Sequence, residues 1–360
     1  MKWRSFGASG LKVSELCLGT MTLAGQADAK TSFAILDTAW DGGIRFIDTA
    51  DVYPVPMTLA TYGDSEALVG RWLTRRKCRD DMVLATKAYF VGGPLPMHRG
   101  NSRLHLIRAC EASLRRLKTD RIDLYLCHGW DPTVPVEETL RALEQLRQDG
   151  KILYTAVSNV RAHEVAAALL EAARLGLRGF EGLQPRYSII QREAEESLFP
   201  MARRFGLGVM VYNPIAGGLL SGKHRPGRAP AKGTRFAIPG IGEVYRNRYW
   251  DQRLLEAAVA LKRVAAEAGV PPVTAAVAWV LRNPDVTCAI IGASRPAQLA
   301  DHLRATQTAL PEVLVQWLDG VWFDLPRRPP DLDAPRLPDF YAATDSDGQG
   351  RTGRNRRRRA

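Results

Sequence analysis

Eight short apolar runs alternate with longer amphipathic stretches along this chain, and that rhythm restricts its fold more than any other feature. The runs fall at residues 15–19, 45–48, 82–87, 122–127, 152–158, 179–184, 208–212 and 287–291. Helix-like stretches separate and follow them at 29–41, 64–75, 102–117, 136–148, 162–175, 193–205, 252–268 with 273–282, and 296–305. In the 102–117 stretch, Leu104, Ile107, Cys110, Leu114 and Leu117 recur every three or four residues, with Arg103, Arg108, Glu111, Arg115 and Arg116 between them. That spacing predicts a helix with one apolar stripe, and Ser102 stands where a first-turn cap belongs. The short runs, such as Val83-Leu84-Ala85 and Leu124-Tyr125-Leu126, are continuously apolar, as parallel strands buried on both faces require. Eight such alternations with short connections predict a (β/α)8 TIM barrel in the α/β class, one domain over residues 1–325. Upstream of residue 15, Gly7-Ala8-Ser9-Gly10 separates two short stretches and predicts a β-hairpin that plugs the barrel's bottom.

Composition supports a buried core. The 360 residues are 46% hydrophobic and 24% charged, enough to fold without disulfides or a structural metal. Five cysteines (17, 78, 110, 127 and 288) with no CxxC pair predict reduced thiols in a cytoplasmic protein. The N-terminus has no apolar signal-like segment, and runs such as 277–281 fall far short of the ~20 residues a bilayer demands. No membrane association is therefore expected. Of the net charge of +12, six positive charges belong to arginines 351, 354 and 356–359. Residues 326–360 are Pro-rich and then Arg-rich and read as a disordered tail. Its arginine run is read as solvated charge rather than a nucleic-acid site.

Barrel enzymes carry their chemistry just beyond the carboxyl ends of the strands. Asp48 ends the second run, with Tyr53 five residues on; Lys87 ends the third; His128 follows the fourth. Singly these residues mean little, since a lysine at a strand end is ordinarily a solvated charge and an aspartate there an ordinary cap. Together they make an acid–base set. A tyrosine hydroxyl, near pKa ~10, is a poor proton donor at neutral pH. An adjacent ammonium, itself held by a carboxylate, stabilises the phenolate. A histidine can then direct a carbonyl oxygen toward the hydroxyl.

These residues and their surroundings resemble the aldo-keto reductase family. The matching pieces are Asp48-Thr49-Ala50 leading to Tyr53, Ala85-Thr86-Lys87, the run from Asp123 to His128, and Val157-Ser158-Asn159. Gln184, Tyr187, Tyr212-Asn213-Pro214, Gly217-Gly218 with Lys223, and Ile291-Gly292-Ala293-Ser294 with Gln298 continue the match. It spans roughly residues 1–320 and is most similar to the subgroup shared by bacterial reductases and potassium-channel β-subunits. The resemblance implies NADPH as cofactor and reduction of a small-molecule aldehyde or ketone. It implies a tetrad of Tyr53 as acid, Lys87 and Asp48 as its tuning pair, and His128 to orient substrate. It further implies that Ser158, Asn159 and Gln184 hold the nicotinamide, with Tyr187 or Tyr212 stacking on the ring. Asn213, Pro214, Ile215, Gly217 and Lys223 would meet the pyrophosphate. Thr20, Arg235, Gly292, Ser294, Gln298 and His302 complete the implied cofactor contacts, with Ser294, Gln298 and Arg235 or Arg295 toward the 2′-phosphate. His302 stands where the family usually has an adenine-contacting Asn.

Other motifs in the chain point to chemistry that their surroundings do not support. Gly217 to Lys223 mimics a phosphate-binding G-x-x-x-x-G-K loop, but His224 occupies the place of the magnesium-binding Ser or Thr and prolines 226 and 230 follow. No dinucleotide glycine fingerprint follows a strand, and no metal-ligand cluster is present; Cys127 beside His128 points to the opposite face. Trp130, Tyr62, Tyr89, Phe90, Tyr245 and Trp250 lie in loops on the catalytic side and make a candidate apolar substrate wall. Two alternatives remain: a nucleotide-sugar keto/enoyl reductase using Arg246 and Arg248, and a cofactor-binding regulatory protein like the channel β-subunits, with little catalysis.

Overall fold

Hydrogen-bonded strands close into the cylinder that the alternation predicts. The computed structural model describes residues 1–326, so all but the first residue of the proposed disordered tail lies outside the described residues. A hairpin comes first, β1 (Trp3–Ser5) paired antiparallel with β2 (Lys12–Ser14). The barrel follows as β3 (Leu16–Gly19), β4 (Phe46–Asp48), β5 (Val83–Ala88), β6 (Ile122–Cys127), β7 (Ile152–Ser158), β8 (Gly182–Gln184), β9 (Gly208–Val211) and β10 (Cys288–Ile291). All eight are parallel, and β10 closes the ring by pairing with both β9 and β3.

Helices sheathe the strands: α1 (Ala29–Asp41), α2 (Asp64–Arg76), α3 (Arg103–Leu117), α4 (Val136–Gln148), α5 (Ala162–Arg174), α6 (Leu198–Phe205), α7 (Ile241–Tyr249), α8 (Gln252–Glu267), α9 (Pro272–Arg282), α10 (Leu299–Arg304) and α11 (Glu312–Gly320). The Ser102 hydroxyl accepts the His105 N–H at the start of α3, as expected. Two apolar layers result. Phe6, Cys17, Phe46, Leu124, Leu126 and Met210 fill the barrel, while a larger cluster lies between strands and helices. Phe6 of the hairpin is the plug. A Cβ on Gly182 or Gly208 would come within 2.4 or 2.6 Å of its ring, so only glycine lets the aromatic seat there.

Several expectations need correction. The stretch 193–205 breaks into a single turn at Glu193–Glu195 and then α6. Pro200, lacking an N–H, is tolerated only in a first helical turn and so sets the start of α6. The run 179–184 pairs only from Gly182, and 296–305 divides into a turn at Pro296–Gln298 and α10. The stripe on α3 is rotated: Leu104 is 44% exposed, while His105, Leu106, Ala109, Cys110, Ser113 and Leu117 are buried. Apolar identity pointed to Leu104, but Ser113 takes an inward place because Arg116 Nη2 donates to its hydroxyl. Helices α7 and α11 were missed, although Ile241, Tyr245 and Tyr249 of α7 are buried at four-residue intervals. Among the described residues no single helix is long and apolar enough to cross a membrane.

Candidate active site

Three successive strand ends bring the four ionisable groups together. Asp48 is the last residue of β4, Lys87 the penultimate residue of β5, and His128 follows β6 directly. Lys87 is wholly buried; its Nζ lies 2.6 Å from Asp48 Oδ2 and donates to the Thr49 carbonyl at 2.6 Å. Gln184, at the end of β8, donates to Asp48 Oδ1 at 2.8 Å. Both carboxylate oxygens are thus occupied. Lys87 Nζ is 4.9 Å from the Tyr53 ring centroid, and the Tyr53 and His128 rings meet edge-on at 5.9 Å. Phe90 also packs edge-on against His128, with centroids 4.8 Å apart.

Burial governs the electrostatics here. It raises the Asp48 carboxyl above its ordinary value, with Lys87 and Gln184 pulling against it. Burial, and then the Lys87 charge, hold the His128 imidazole well below its usual pKa. His128 is therefore neutral and can donate from one ring nitrogen only.

Above this set lies a cavity of about 770 Å³, which Asp48, Tyr53, Phe90 and His128 line at one end. The expected cofactor residues Ser158, Asn159, Gln184, Tyr212, Asn213, Pro214, Ile215, Gly217, Lys223, Arg235, Gly292, Ser294, Gln298 and His302 all line it. They are wired to the catalytic end: Tyr212 Oη donates to Asn159 Oδ1 at 2.9 Å, and Asn159 Nδ2 to the His128 carbonyl at 2.8 Å. At the far end the Gln298 side chain accepts from the Ser294 and Arg295 amides.

Some expected residues stand elsewhere. The Thr20 hydroxyl donates to the Asp48 carbonyl at 3.1 Å and is absent from the lining; Thr22, bonded to the Ala293 carbonyl, lines the cavity instead. Tyr187 is buried, stacked on Trp279 with centroids 5.5 Å apart and hydrogen-bonded to Glu195, so of the two tyrosines only Tyr212 lines the cavity. Of the proposed aromatic wall only Phe90 and Tyr245 line the cavity. Tyr62 bonds Asp51, Tyr89 bonds the Trp130 carbonyl, and Trp250 packs on His224 and Phe236. Arg246 donates inward to the Phe236 carbonyl at 2.5 Å, which weakens the nucleotide-sugar reading; Arg248 does line the cavity. Met21 and Gln26 also line the cavity and have no counterpart in the sequence reading.

The cavity suits an anionic ligand. Its volume is that of a ligand pocket, and Lys223, Arg235 and Arg295 gather on its wall. None of the three has a carboxylate partner among the described residues, and Lys223 is pushed below its ordinary pKa by burial and then by Arg295 and Arg235. An anion would relieve that repulsion. Beside them Gly217 and Gly218 take left-handed backbone (φ 67° and 101°), and a Cβ on Gly217 would lie 2.5 Å from the Tyr245 ring. Glycine at 217 thus lets the Tyr245 ring pack directly against this loop, and both positive φ values suit glycine. No group of three or more metal-ligating side chains occurs among the described residues.

Comparison with known proteins agrees with this architecture. A model of the aldo/keto reductase family matches residues 15–322. A Bacillus subtilis protein named uncharacterized oxidoreductase YrpG is 35% identical over 328 residues, covering 89% of this chain and 96% of its own. An Arabidopsis thaliana protein named probable voltage-gated potassium channel subunit beta is 33% identical over 334 residues, covering 91% and 99%. The Aspergillus calidoustus aldo-keto reductase ausK is 32% identical over 335 residues, covering 88% and 81%. With its closed parallel barrel and its strand-end site, the chain belongs to the aldo/keto reductase family of NAD(P)-dependent oxidoreductases.

Proposed function

We propose that this protein reduces an aldehyde or ketone to the alcohol with NADPH, Tyr53 serving as the proton donor. The observation that carries this reading is the buried ion pair of Lys87 and Asp48, set 4.9 Å from the Tyr53 ring beside a neutral His128. When bound, a reduced nicotinamide would supply the hydride for the carbonyl carbon. The carbonyl oxygen takes its proton from Tyr53 Oη, and the phenolate left behind is reprotonated from solvent. Lys87 stabilises the charge developing on the Tyr53 oxygen. Asp48, gripped by Gln184 as well, fixes the ammonium in place. Neutral His128 donates a hydrogen bond to the carbonyl oxygen, and Phe90 limits its tilt.

Ser158, Asn159 and Gln184 would hold the nicotinamide carboxamide, and Tyr212 would flank its ring. Asn213 to Gly217 with Lys223 would receive the pyrophosphate. Arg235, Arg295, Ser294 and Gln298 would receive the 2′-phosphate, the basis for choosing NADPH over NADH.

Tyr53→Phe tests the donor. Turnover of a panel of aldehydes should fall by at least ~10²-fold, the usual worth of a positioned acid, while NADPH binding is retained. Undiminished turnover in the folded variant refutes the role. The names of the plant relatives favour a second reading, a channel-associated protein; tight NADPH retention with no turnover of any carbonyl would select it.

A further inference from the structure

Behind the tetrad, outside the cavity lining, lies a second set of buried ionisable groups that the proposed chemistry does not use. Asp51 is wholly buried two residues before Tyr53, and its Oδ2 accepts the Tyr62 hydroxyl at 2.5 Å. Tyr62 belongs to the segment between Tyr53 and α2. The Arg116 guanidinium of α3 lies over the Tyr62 ring at 5.3 Å and pairs with Glu66 of α2 at 2.6 Å. Glu66 accepts the Thr86 hydroxyl at 2.5 Å, and Thr86 is the neighbour of Lys87. The Asp51 amide also donates to the Lys87 carbonyl. One continuous set of contacts thus joins the segment bearing Tyr53 to the strand bearing Lys87.

We propose that Asp51, held by the Tyr62 hydroxyl, is a positioning residue that braces Tyr53 against Lys87 through Arg116, Glu66 and Thr86. This rests on the reading of Tyr53 as proton donor. The brace depends on charge. Burial pushes the Asp51 carboxyl up to about 7; the Tyr62 hydrogen bond opposes the rise, Glu66 adds to it and Arg116 opposes it. Tyr125 of β6 also faces this carboxyl. Ionised, Asp51 accepts the Tyr62 hydroxyl. Protonated, it keeps only a neutral bond to that hydroxyl, roughly half as strong, and a proton on Oδ1 finds no acceptor. The brace is therefore tight above the Asp51 pKa and slack below it, so kcat for reduction carries an acid limb set by Asp51.

Removing the Tyr62 hydroxyl takes away a bond that favours the ionised carboxyl, so Tyr62→Phe should move that limb to higher pH by roughly half a unit to one unit. At about pH 7 its kcat should fall ~2- to 5-fold, with the NADPH Kd from cofactor fluorescence unchanged within about twofold. Asp51→Asn should abolish the limb. Crystal structures of wild type and Tyr62→Phe carry the same test without turnover, since Tyr53 should stand farther from Lys87 Nζ in the variant. Superimposable pH profiles, or an unchanged Tyr53–Lys87 separation, would overturn the brace. If no carbonyl is reduced at all, the reduction reading falls, and the crystallographic comparison alone decides the brace.

Discussion

The two ends of the cavity are built on opposite electrostatic terms. At the catalytic end every charge is answered within the protein: Lys87 by Asp48, Asp48 again by Gln184, and His128 by its own neutrality. At the far end Lys223, Arg235 and Arg295 face the same space without a carboxylate partner among the described residues. The first end is preorganised and the second is incomplete. A preorganised site has already met its desolvation cost during folding and can act on a neutral group such as a carbonyl. An unanswered cluster gains its stabilisation only when an anion arrives. On the proposed function, one cavity thus separates the work of reaction from the work of capture.

The sharpest way to break this contrast is to open the catalytic end. Lys87→Met leaves the Asp48 carboxylate buried beside Gln184 alone. Losing one partner of a buried ion pair costs about 3–5 kcal/mol, so denaturant unfolding should report a loss of that order. Turnover should fall by at least ~10³-fold, because the developing phenolate loses its counter-charge in a dry site. The Asp48 carboxyl, already raised by burial, should rise further. A variant as stable as wild type would mean that the pair is not the self-contained unit described here.

How the two ends came to be legible in the sequence differs as well. Asp48, Tyr53, Lys87 and His128 could be placed together because strands end where their apolar runs end, and a barrel gathers strand ends at one mouth. Long periodic helices such as α1 and α4 were readable to the residue for the same reason. Loop and short-helix contributions were harder to read. Thr20 and Thr22 are both hydroxyl residues just past β3, and only the hydrogen bond from Thr20 to the Asp48 carbonyl turns one away and leaves the other on the wall. Tyr187 was exchangeable with Tyr212 until packing against Trp279 removed it. The nine-residue α7, which brings Tyr245 and Arg248 to the cavity, contains Gly242 and is short, so its period of four was faint against its surroundings. The brace of Asp51 and Tyr62 joins side chains across an irregular segment, and no periodicity announces such a contact.

A smaller effect sharpens the capture end. Arg235 lines the cavity and donates to the Tyr245 hydroxyl at 3.1 Å, which leaves most of its guanidinium donors for an anion. Arg235→Ala should weaken NADPH binding about tenfold, or ~1.4 kcal/mol, as expected for one partly screened phosphate contact. NADH, which lacks the 2′-phosphate, should lose little. Fluorescence titration with both cofactors measures the difference directly. Equal losses for the two would place Arg235 at the pyrophosphate, and no loss for either would remove it from the capture end.

The smallest expected effect is a proton. Lys223 is held below its ordinary pKa by burial and by its cationic neighbours, so it begins to shed its proton at a lower pH than an exposed lysine would. A bound phosphate favours the charged ammonium and pushes that pKa back up. The sign follows: at alkaline pH, cofactor binding should take up a fraction of a proton, and the uptake should vanish toward neutrality, where Lys223 is charged in both states. Calorimetric titrations in two buffers of unlike ionisation enthalpy at each pH read this number, and Lys223→Arg, which stays charged throughout, should abolish it. Uptake that persists unchanged in Lys223→Arg would place the titrating group elsewhere and dissolve the division between a closed end and an open one.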